Sequence, residues 1–285
     1  MSSKNTFLPV QTIIESRGRL LDLSKPVVMG ILNATPDSFY NKGRESNLDD
    51  LVRNAAKMLE EGAIILDIGG ASTKPGAAII NVDEELNRVI PVIEAVHARY
   101  PEAWISVDTY HAKVAEDAVA AGAAIINDVS SGSIDQAMIE TVANLKVPYI
   151  AMHMQGTPQT MQDSPLYDDV VYEVRDYLRH ICDGCTAAGI ADVIIDPGFG
   201  FGKTLEQNFA LLRDLHTFRI LERPVLSGIS RKSMICKALK VNPEHALNGT
   251  TALHMIALQQ GANILRVHDV KEAVEVIKLY EMLID

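Results

Sequence analysis

A short apolar, β-rich run that ends in polar residues and leads into a longer segment of helical spacing occurs eight times along this chain. The runs fall at 27–33, 64–69, 104–109, 124–129, 149–153, 193–198, 225–230 and 264–269. Their hydrophobicity is nearly continuous, as expected of strands buried on both faces in a parallel sheet. Amphipathic helices are expected at 49–61, 83–98, 111–121, 167–188, 204–217, 243–260 and 270–283. Thr204 and Gln207 stand at capping-box spacing, and helix-like segments finish at Gly62, Gly122, Gly189 and Gly261, where a C-cap of positive φ is needed. Eight alternations in 285 residues favour an α/β fold of the (β/α)8 TIM-barrel class over a doubly wound sheet. The first 25 residues lie outside the pattern. Residues 11–16, the pair Arg17-Gly18 and residues 19–23 read as an N-terminal β-hairpin that plugs the barrel's N-terminal end. No linker or low-complexity stretch divides the chain, so 1–285 reads as one domain with 1–25 as its hairpin extension.

Composition narrows the partners. The chain carries 26 Lys+Arg against 37 Asp+Glu, a formal charge of −11, with 47% hydrophobic and 22% charged residues. Such a balance is wrong for a disordered chain and argues against nucleic acid or an anionic membrane surface as the main partner. Small anions respond to local charge and are not excluded. Three cysteines cannot build a disulfide framework. The start, Met1-Ser-Ser-Lys-Asn-Thr, has no signal-peptide pattern, and no run approaches the roughly 18 apolar residues of a membrane span. The expectation is a cytoplasmic protein.

In a barrel of this type, chemistry gathers at the C-terminal ends of the strands, and the polar residues fall there. Side chains alternate along a strand, so Ser106 shares a face with Asp108, Ile125 with Asn127, Ile194 with Asp196, and Arg266 with His268. A ring of such groups facing a closed core is costly unless a polar ligand or mutual pairing satisfies it. Asp108, Asn127 and Asp196 offer acceptors and one amide, which suits a heterocycle with adjacent N–H donors and one carbonyl. Lys232 supplies a donor to that carbonyl. Arg266 and His268, with the loops after the seventh and eighth strands, form a second, anion-seeking group. Ser233 stands where a helix should begin and suits a carboxylate or phosphate.

Eight segments carry a family resemblance. They are Met29-Gly-Ile-Leu-Asn-Ala-Thr-Pro-Asp-Ser-Phe39, Asp67-Ile-Gly-Gly70, Ser106-Val-Asp-Thr109, Ile126-Asn-Asp-Val129, Met152-His-Met-Gln-Gly156, Asp196-Pro-Gly-Phe-Gly-Phe-Gly-Lys203, Ser230-Arg-Lys-Ser-Met234 and Arg266-Val-His-Asp-Val270. In this order they resemble the dihydropteroate synthase family of pterin-binding enzymes, and the likeness covers essentially everything from Pro26 onward. It implies a transferase that condenses 6-hydroxymethyl-7,8-dihydropterin diphosphate with 4-aminobenzoate, giving 7,8-dihydropteroate and pyrophosphate in folate biosynthesis. By the family's pattern Asp108, Asn127, Asp196 and Lys232 hold the pterin, with Met152 on its face. Asn33 ligates Mg2+, while Arg266 and His268, with Val267 between them, hold the diphosphate. Thr73, Pro75, Phe39, Phe201 and Ser233 border the aminobenzoate. Asp37 is the candidate acceptor for a cationic methylene formed as pyrophosphate leaves. The resemblance also implies a homodimer through the later helices, for which Met255, Ile256, Leu258, Val276, Leu279 and Met282 could supply a face or simply pack on the barrel.

Two positions depart from the pattern Gly-Gly-Glu-Ser-Thr-Arg-Pro-Gly of the second loop: Ala71 replaces the Glu and Lys74 the Arg. Lys keeps the charge but loses the bidentate fork. Competing readings are a methyltetrahydrofolate-binding methyltransferase barrel and a pterin-binding barrel without catalysis. Cys182 and Cys185 have C-x-x-C spacing without a second pair, which gives little support to a redox or metal site. Gly198, Gly200 and Gly202 suit a tight loop better than a dinucleotide fingerprint. Strand parity turns His153 away from the barrel axis and Asp67 toward it, where Asp67 could orient Arg266. Lys203 reads as solvated, and His97, His111, His180, His216, His245 and His254 as surface or packing residues. Together Lys74, Lys203, Arg231, Lys232, Arg266 and His268 would make a basic mouth on an acidic body.

Overall fold

The computed structural model describes residues 10–35, 44–71, 80–156 and 165–284, the side chains of 44–47 excepted. A hairpin of β1 (Ile13–Ser16) and β2 (Arg19–Asp22) comes first, followed by β3 (Val27–Asn33) and α1 (Arg44–Glu60). Then follow β4 (Ile65–Gly69), α2 (Val82–Arg99), β5 (Trp104–Asp108), α3 (Ala112–Ala121), β6 (Ile125–Asp128) and α4 (Met138–Leu145). The chain continues through β7 (Tyr149–Met152), α5 (Val170–Ala188), β8 (Val193–Asp196), α6 (Leu205–Arg213) and β9 (Leu226–Ser227). It ends with α7 (Ser233–Leu239), α8 (Leu247–Gln259), β10 (Ile264–Val267) and α9 (Val270–Ile284).

The eight strands β3 to β10 form one parallel sheet in the order β8-β7-β6-β5-β4-β3-β10-β9. A parallel bridge between Ile195 and Val225 joins the two ends, and the Ile195 N–H donates to the Pro224 carbonyl at 2.9 Å. That closure makes the sheet a TIM barrel, as the eightfold pattern predicted. Each strand is apolar on both faces for a separate reason. Met29, Ile65, Ile125, Ile150, Ile194, Leu226 and Ile264 fill the interior, whereas Val28, Leu66, Ile105, Ile126 and Ile195 pack outward under the helices. Burying each such side chain contributes about 1.5–3 kcal/mol, so below the mouth the polar exceptions are small, the buried Ser106 and Ser227.

The hairpin closes the opposite end. Ile14, Leu21 and Leu23 join the interior cluster beneath Trp104. Polar contacts fix the plug: the Glu15 N–H donates to Asp192 at 2.7 Å and Arg17 to the Val119 carbonyl at 2.7 Å. Arg19 donates to the Pro101 carbonyl at 3.0 Å and lies 5.0 Å above the Trp104 ring. A long apolar barrel bottom is thereby removed from water by a four-residue-per-strand ribbon.

Helix ends follow the local chemistry. The Thr204/Gln207 capping box opens α6, Asn81 caps α2, and Asp169 caps α5, which starts at Val170 rather than at 167. The four glycines expected after helices all have positive φ. At Gly122 the need is also steric, since a Cβ there would lie 2.5 Å from His97 Cγ. Three elements differ from expectation. The 204–217 segment ends as α6 at Arg213 and continues as a 3₁₀ helix, Leu215–Leu221. The 243–260 segment breaks into a 3₁₀ turn, Pro243–His245, before α8. The short α4 has no polar N-cap (Ala137) and closes on left-handed Lys146 rather than Gly, so it lacks the usual punctuation.

Candidate active site

The strand register lifts Asp67, Asp108, Asn127, Met152, Asp196 and Arg266 to the C-terminal mouth, on the same parity as the interior apolar residues below them. Arg266 is the hub. From β10 its Nε donates to Asp67 of β4 at 2.6 Å, and its Nη2 donates to Asp108 of β5 at 2.6 Å. The Asn127 amide donates to the same Asp67 oxygen at 3.0 Å. Asp67, expected from parity to orient Arg266, therefore holds both Arg266 and Asn127. It is fully buried, and its Oδ1 has no partner among the described residues.

Asp196 and Lys232 form a second group. The Gly198 N–H donates to Asp196 Oδ1 at 2.8 Å. A Cβ built on Gly228 would lie 3.7 Å from Asp196 Oδ2 and 3.9 Å from Lys232 Nζ, so both polar tips gather over that glycine. Lys232 donates to the Phe199 carbonyl, and its ammonium sits 4.5 Å from the centre of the Phe201 ring. Phe201 packs with Met152, Tyr110, Val129, Met154 and Ala71 as an apolar wall beside the carboxylates. Ala71, where the family pattern has Glu, thus serves as part of that wall.

The charges are unbalanced, three carboxylates (Asp67, Asp108, Asp196) against Arg266 and Lys232. Burial pushes the Asp108 carboxyl up to about 7 against the pull of Arg266, with Asp67 adding to the rise. Burial also raises Asp196, although Lys232 opposes it. For Lys232 burial lowers the ammonium to about 8 against the attraction of Asp196. Burial works against the Arg266 charge too, but Asp67 and Asp108 outweigh it and raise its pKa. Carboxylates and an amide around an apolar wall match a flat heterocycle with N–H donors, because such a ligand satisfies acceptors that are otherwise costly to bury.

Along β10 and the loop after β9, the mouth changes character. The Ser230 hydroxyl lies 3.1 Å from His268 Nδ1 and accepts the His268 N–H at 3.2 Å. His268 is exposed, and Ser233 is exposed as the first residue of α7. Asn33 ends β3, the strand next to β10, with its side chain exposed. This side can meet an anion. Asp37, Phe39, Thr73 and Pro75, with Lys74, lie outside the described residues.

Three expectations change. The Val267 side chain points outward into the core between barrel and helices, fully buried, so only its backbone faces the mouth. Lys203 is buried rather than solvated, at 3% exposure. Arg231 turns from the mouth to bind Asp269 through Nε and Nη2 at 2.7 and 2.8 Å. The basic mouth among the described residues thus reduces to Lys232, Arg266 and His268. His153 faces away from the axis as its parity required, with its ring edge-on to Tyr177 at 4.9 Å. His111 pairs with the fully buried Glu85 at 2.7 Å, and Arg88 donates to the Gly70 carbonyl at 2.7 Å, so α2 and α3 brace the base of the second loop. No periodicity signals Glu85 as a polar residue on a buried helix face. Cys182 and Cys185 are buried, and burial pushes their thiols up to about 11 and about 12, which suits inert packing.

The model of the pterin binding enzyme family matches residues 29–268. The dihydropteroate synthase of Escherichia coli (strain K12) is 50% identical over 268 residues, 93% of this chain and 94% of that one. The chain belongs to the dihydropteroate synthase family. The Yersinia pestis dihydropteroate synthase in a sulfonamide drug complex superposes with a TM-score of 0.90 at 46% identity, covering 95% of this chain and 98% of that one. The Xanthomonas albilineans dihydropteroate synthase with 4-aminobenzoic acid gives 0.89 at 43% identity, with the same coverage. Dihydropteroate synthase likeness thus extends over the hairpin-plugged barrel as a whole, and no helix among the described residues is long and apolar enough to cross a membrane.

Proposed function

We propose that the barrel mouth joins 6-hydroxymethyl-7,8-dihydropterin diphosphate to 4-aminobenzoate, forming 7,8-dihydropteroate and pyrophosphate for folate biosynthesis. The observation that carries this reading is the two-sided mouth: Asp108, Asn127 and Asp196 around Met152 on one side, Arg266, His268 and Ser230 on the other. Relatives of similar length bear the same name, among them one with 4-aminobenzoic acid bound. The pterin lies against Met152. Asp196 takes its amino and ring N–H groups, Lys232 donates to its carbonyl and a ring nitrogen, and Asp108 and Asn127 complete the rim. Arg266 and His268 hold the diphosphate, with the Val267 backbone between them. Thr73, Pro75, Phe39, Phe201 and Ser233 border the aminobenzoate, and sulfonamides compete there.

The reaction forms one carbon–nitrogen bond and breaks one carbon–oxygen bond. The aminobenzoate nitrogen bonds to the pterin methylene, the electron pair of the broken bond leaves with pyrophosphate, and the nitrogen gives up one proton. An aromatic amine is a weak nucleophile, so stabilising the leaving group matters most. Arg266 is suited to this because Asp67 and Asp108 keep it charged and fixed before substrate arrives. Asp37 is our acceptor for positive charge on the methylene.

Asn33 is our ligand for Mg2+. One exposed amide oxygen at the rim fits an ion that keeps several waters and takes other oxygens from a diphosphate. Asn33 would hold the ion together with oxygens of the substrate's diphosphate and water. When bound, the ion neutralises charge on departing pyrophosphate.

Pyrophosphate release with both substrates, with and without Mg2+, tests the reading. Release that needs both substrates and Mg2+ is expected; pterin binding with no release at saturating aminobenzoate and Mg2+ overturns it. A homodimer is part of the same reading. Leu258 and Val276 are buried against the barrel, while Ile256, Leu279 and Met282 are exposed on α8 and α9 and support a mating face. A monomer in sedimentation at micromolar concentration would remove it. The free thiols of Cys182, Cys185 and Cys236 support a reducing, cytosolic location.

A further inference from the structure

The loop after β8, residues 197–202, is clamped through its carbonyls. Lys203 donates to the carbonyls of Gly198 at 2.8 Å and Phe201 at 2.9 Å, and Tyr167 donates to that of Gly202 at 2.8 Å. The Phe199 carbonyl accepts from a residue of the mouth, Lys232. Lys203 also reaches the end of β7, lying 3.0 Å from His153 Nδ1 and 3.3 Å from the His153 carbonyl. Asn208 of α6 completes the back of the clamp: its oxygen accepts the Gly200 N–H at 2.6 Å and its amide donates to the Lys203 carbonyl at 3.2 Å.

A buried lysine whose amine reaches three carbonyls and a histidine ring is an expensive device, because burial works against its charge and only Asp196 opposes that. A loop that needed only to be compact could be satisfied by neutral donors. Here one amine ties β7, which carries Met152, to the loop that carries Phe199 and Phe201. The front of that loop supports Lys232 at three points: the Phe199 carbonyl, the Phe201 ring, and Gly200, whose Cβ would come within 3.3 Å of Lys232 Cδ.

We infer that Lys203 is the positioning residue for pterin recognition, acting through the 197–202 loop to aim Lys232 and Phe201 at the ligand. The inference rests on the function proposed above. It assigns Lys203 no contact with substrate. Loss of the clamp should weaken pterin binding through Lys232 and raise the KM for aminobenzoate through Phe201, with kcat less affected.

The test compares Lys203→Met, Lys232→Met and the double variant. Calorimetry with the pterin diphosphate gives affinity, and hydrogen exchange of the ligand-free protein reads the loop. In Lys203→Met the Gly198, Gly200 and Phe201 amides should exchange about tenfold faster or more, with the rest of the barrel unchanged. Pterin affinity should fall about tenfold, yet Lys203→Met should add little in the Lys232→Met background. Should Lys203→Met fail to fold, Lys203→Gln, which retains one donor group, takes its place. Unchanged exchange in 197–203, or losses that simply add in the double variant, overturn the proposal. If the wild-type protein neither binds the pterin nor releases pyrophosphate, the functional reading fails, and the exchange measurement still decides whether Lys203 holds the loop.

Discussion

Arg266 at the end of β10 and Asp108 at the end of β5 meet inside the barrel mouth, Nη2 to carboxylate at 2.6 Å. Two groups assigned to different parts of the ligand are thus paired directly with each other. On the proposed reading Asp108 also meets the pterin, whereas the fully buried Asp67 serves Arg266 and Asn127 alone, so the Arg266–Asp67 pair is the persistent one.

Removing the persistent pair should therefore separate orientation from charge. In Asp67→Asn the carboxylate partner of Arg266 Nε and of the Asn127 amide is lost. A charge-assisted bond contributes about 1.5–3 kcal/mol, so kcat/KM for the pterin substrate should fall roughly 10- to 100-fold. Steady-state kinetics decide it; a rate within twofold of wild type would show that Arg266 needs no such partner.

Lys232 predicts a high-pH limb. Its ammonium is lowered to about 8 by burial, so the free protein loses this donor as pH rises through that value. Because kcat/KM follows the free enzyme, it should decline above about pH 8. Lys232→Arg should move the limb upward, whatever its effect on the absolute rate. A pH profile identical in both forms would assign the limb to another group.

Gly198 tests the close approach of loop and strand. It sits at φ +71, and a Cβ there would lie 1.9 Å from the His153 carbonyl oxygen. Gly198→Ala should cost more than about 1 kcal/mol from the dihedral angle alone, with the backbone clash added. Denaturant unfolding should show the loss together with weakened pterin binding.

Two buried histidines set an acid limit. Burial lowers His254 to about 4 and His153 to about 3, with Lys203 adding to the effect at His153. Each is neutral in the fold and takes up a proton more readily when unfolded. Their stabilisation is complete above about pH 6.5 and is lost as pH falls toward the folded values. His254 has no hydrogen-bond partner for either ring nitrogen among the described residues, so His254→Phe should flatten the acid limb of Tm against pH. An unchanged limb would place the acid sensitivity elsewhere.

Strands were legible because a closed parallel barrel buries both faces, and that condition writes eight apolar runs into the chain. Parity then placed Asp108, Asn127, Asp196 and Arg266 on the inner face, and even the Asp67–Arg266 contact followed. What escaped depends on neighbours far away in the chain. Lys203 looks like any lysine after a glycine until the carbonyls of His153, Gly198 and Phe201 surround it. Arg231 looks like mouth charge until Asp269, 38 residues on, claims it. Val267 faces outward by the same parity rule that served its neighbour, so parity alone could have kept its side chain out of the mouth.

The hairpin plug gives the barrel one open end. Ile14, Leu21 and Leu23 seal the floor, so traffic into the well runs through a single opening. On the proposed function, with the pterin seated at the depth of Asp108 and Asp196 and the aminobenzoate nearer the surface, the pterin should bind first. Product release on the same reading should use that opening too.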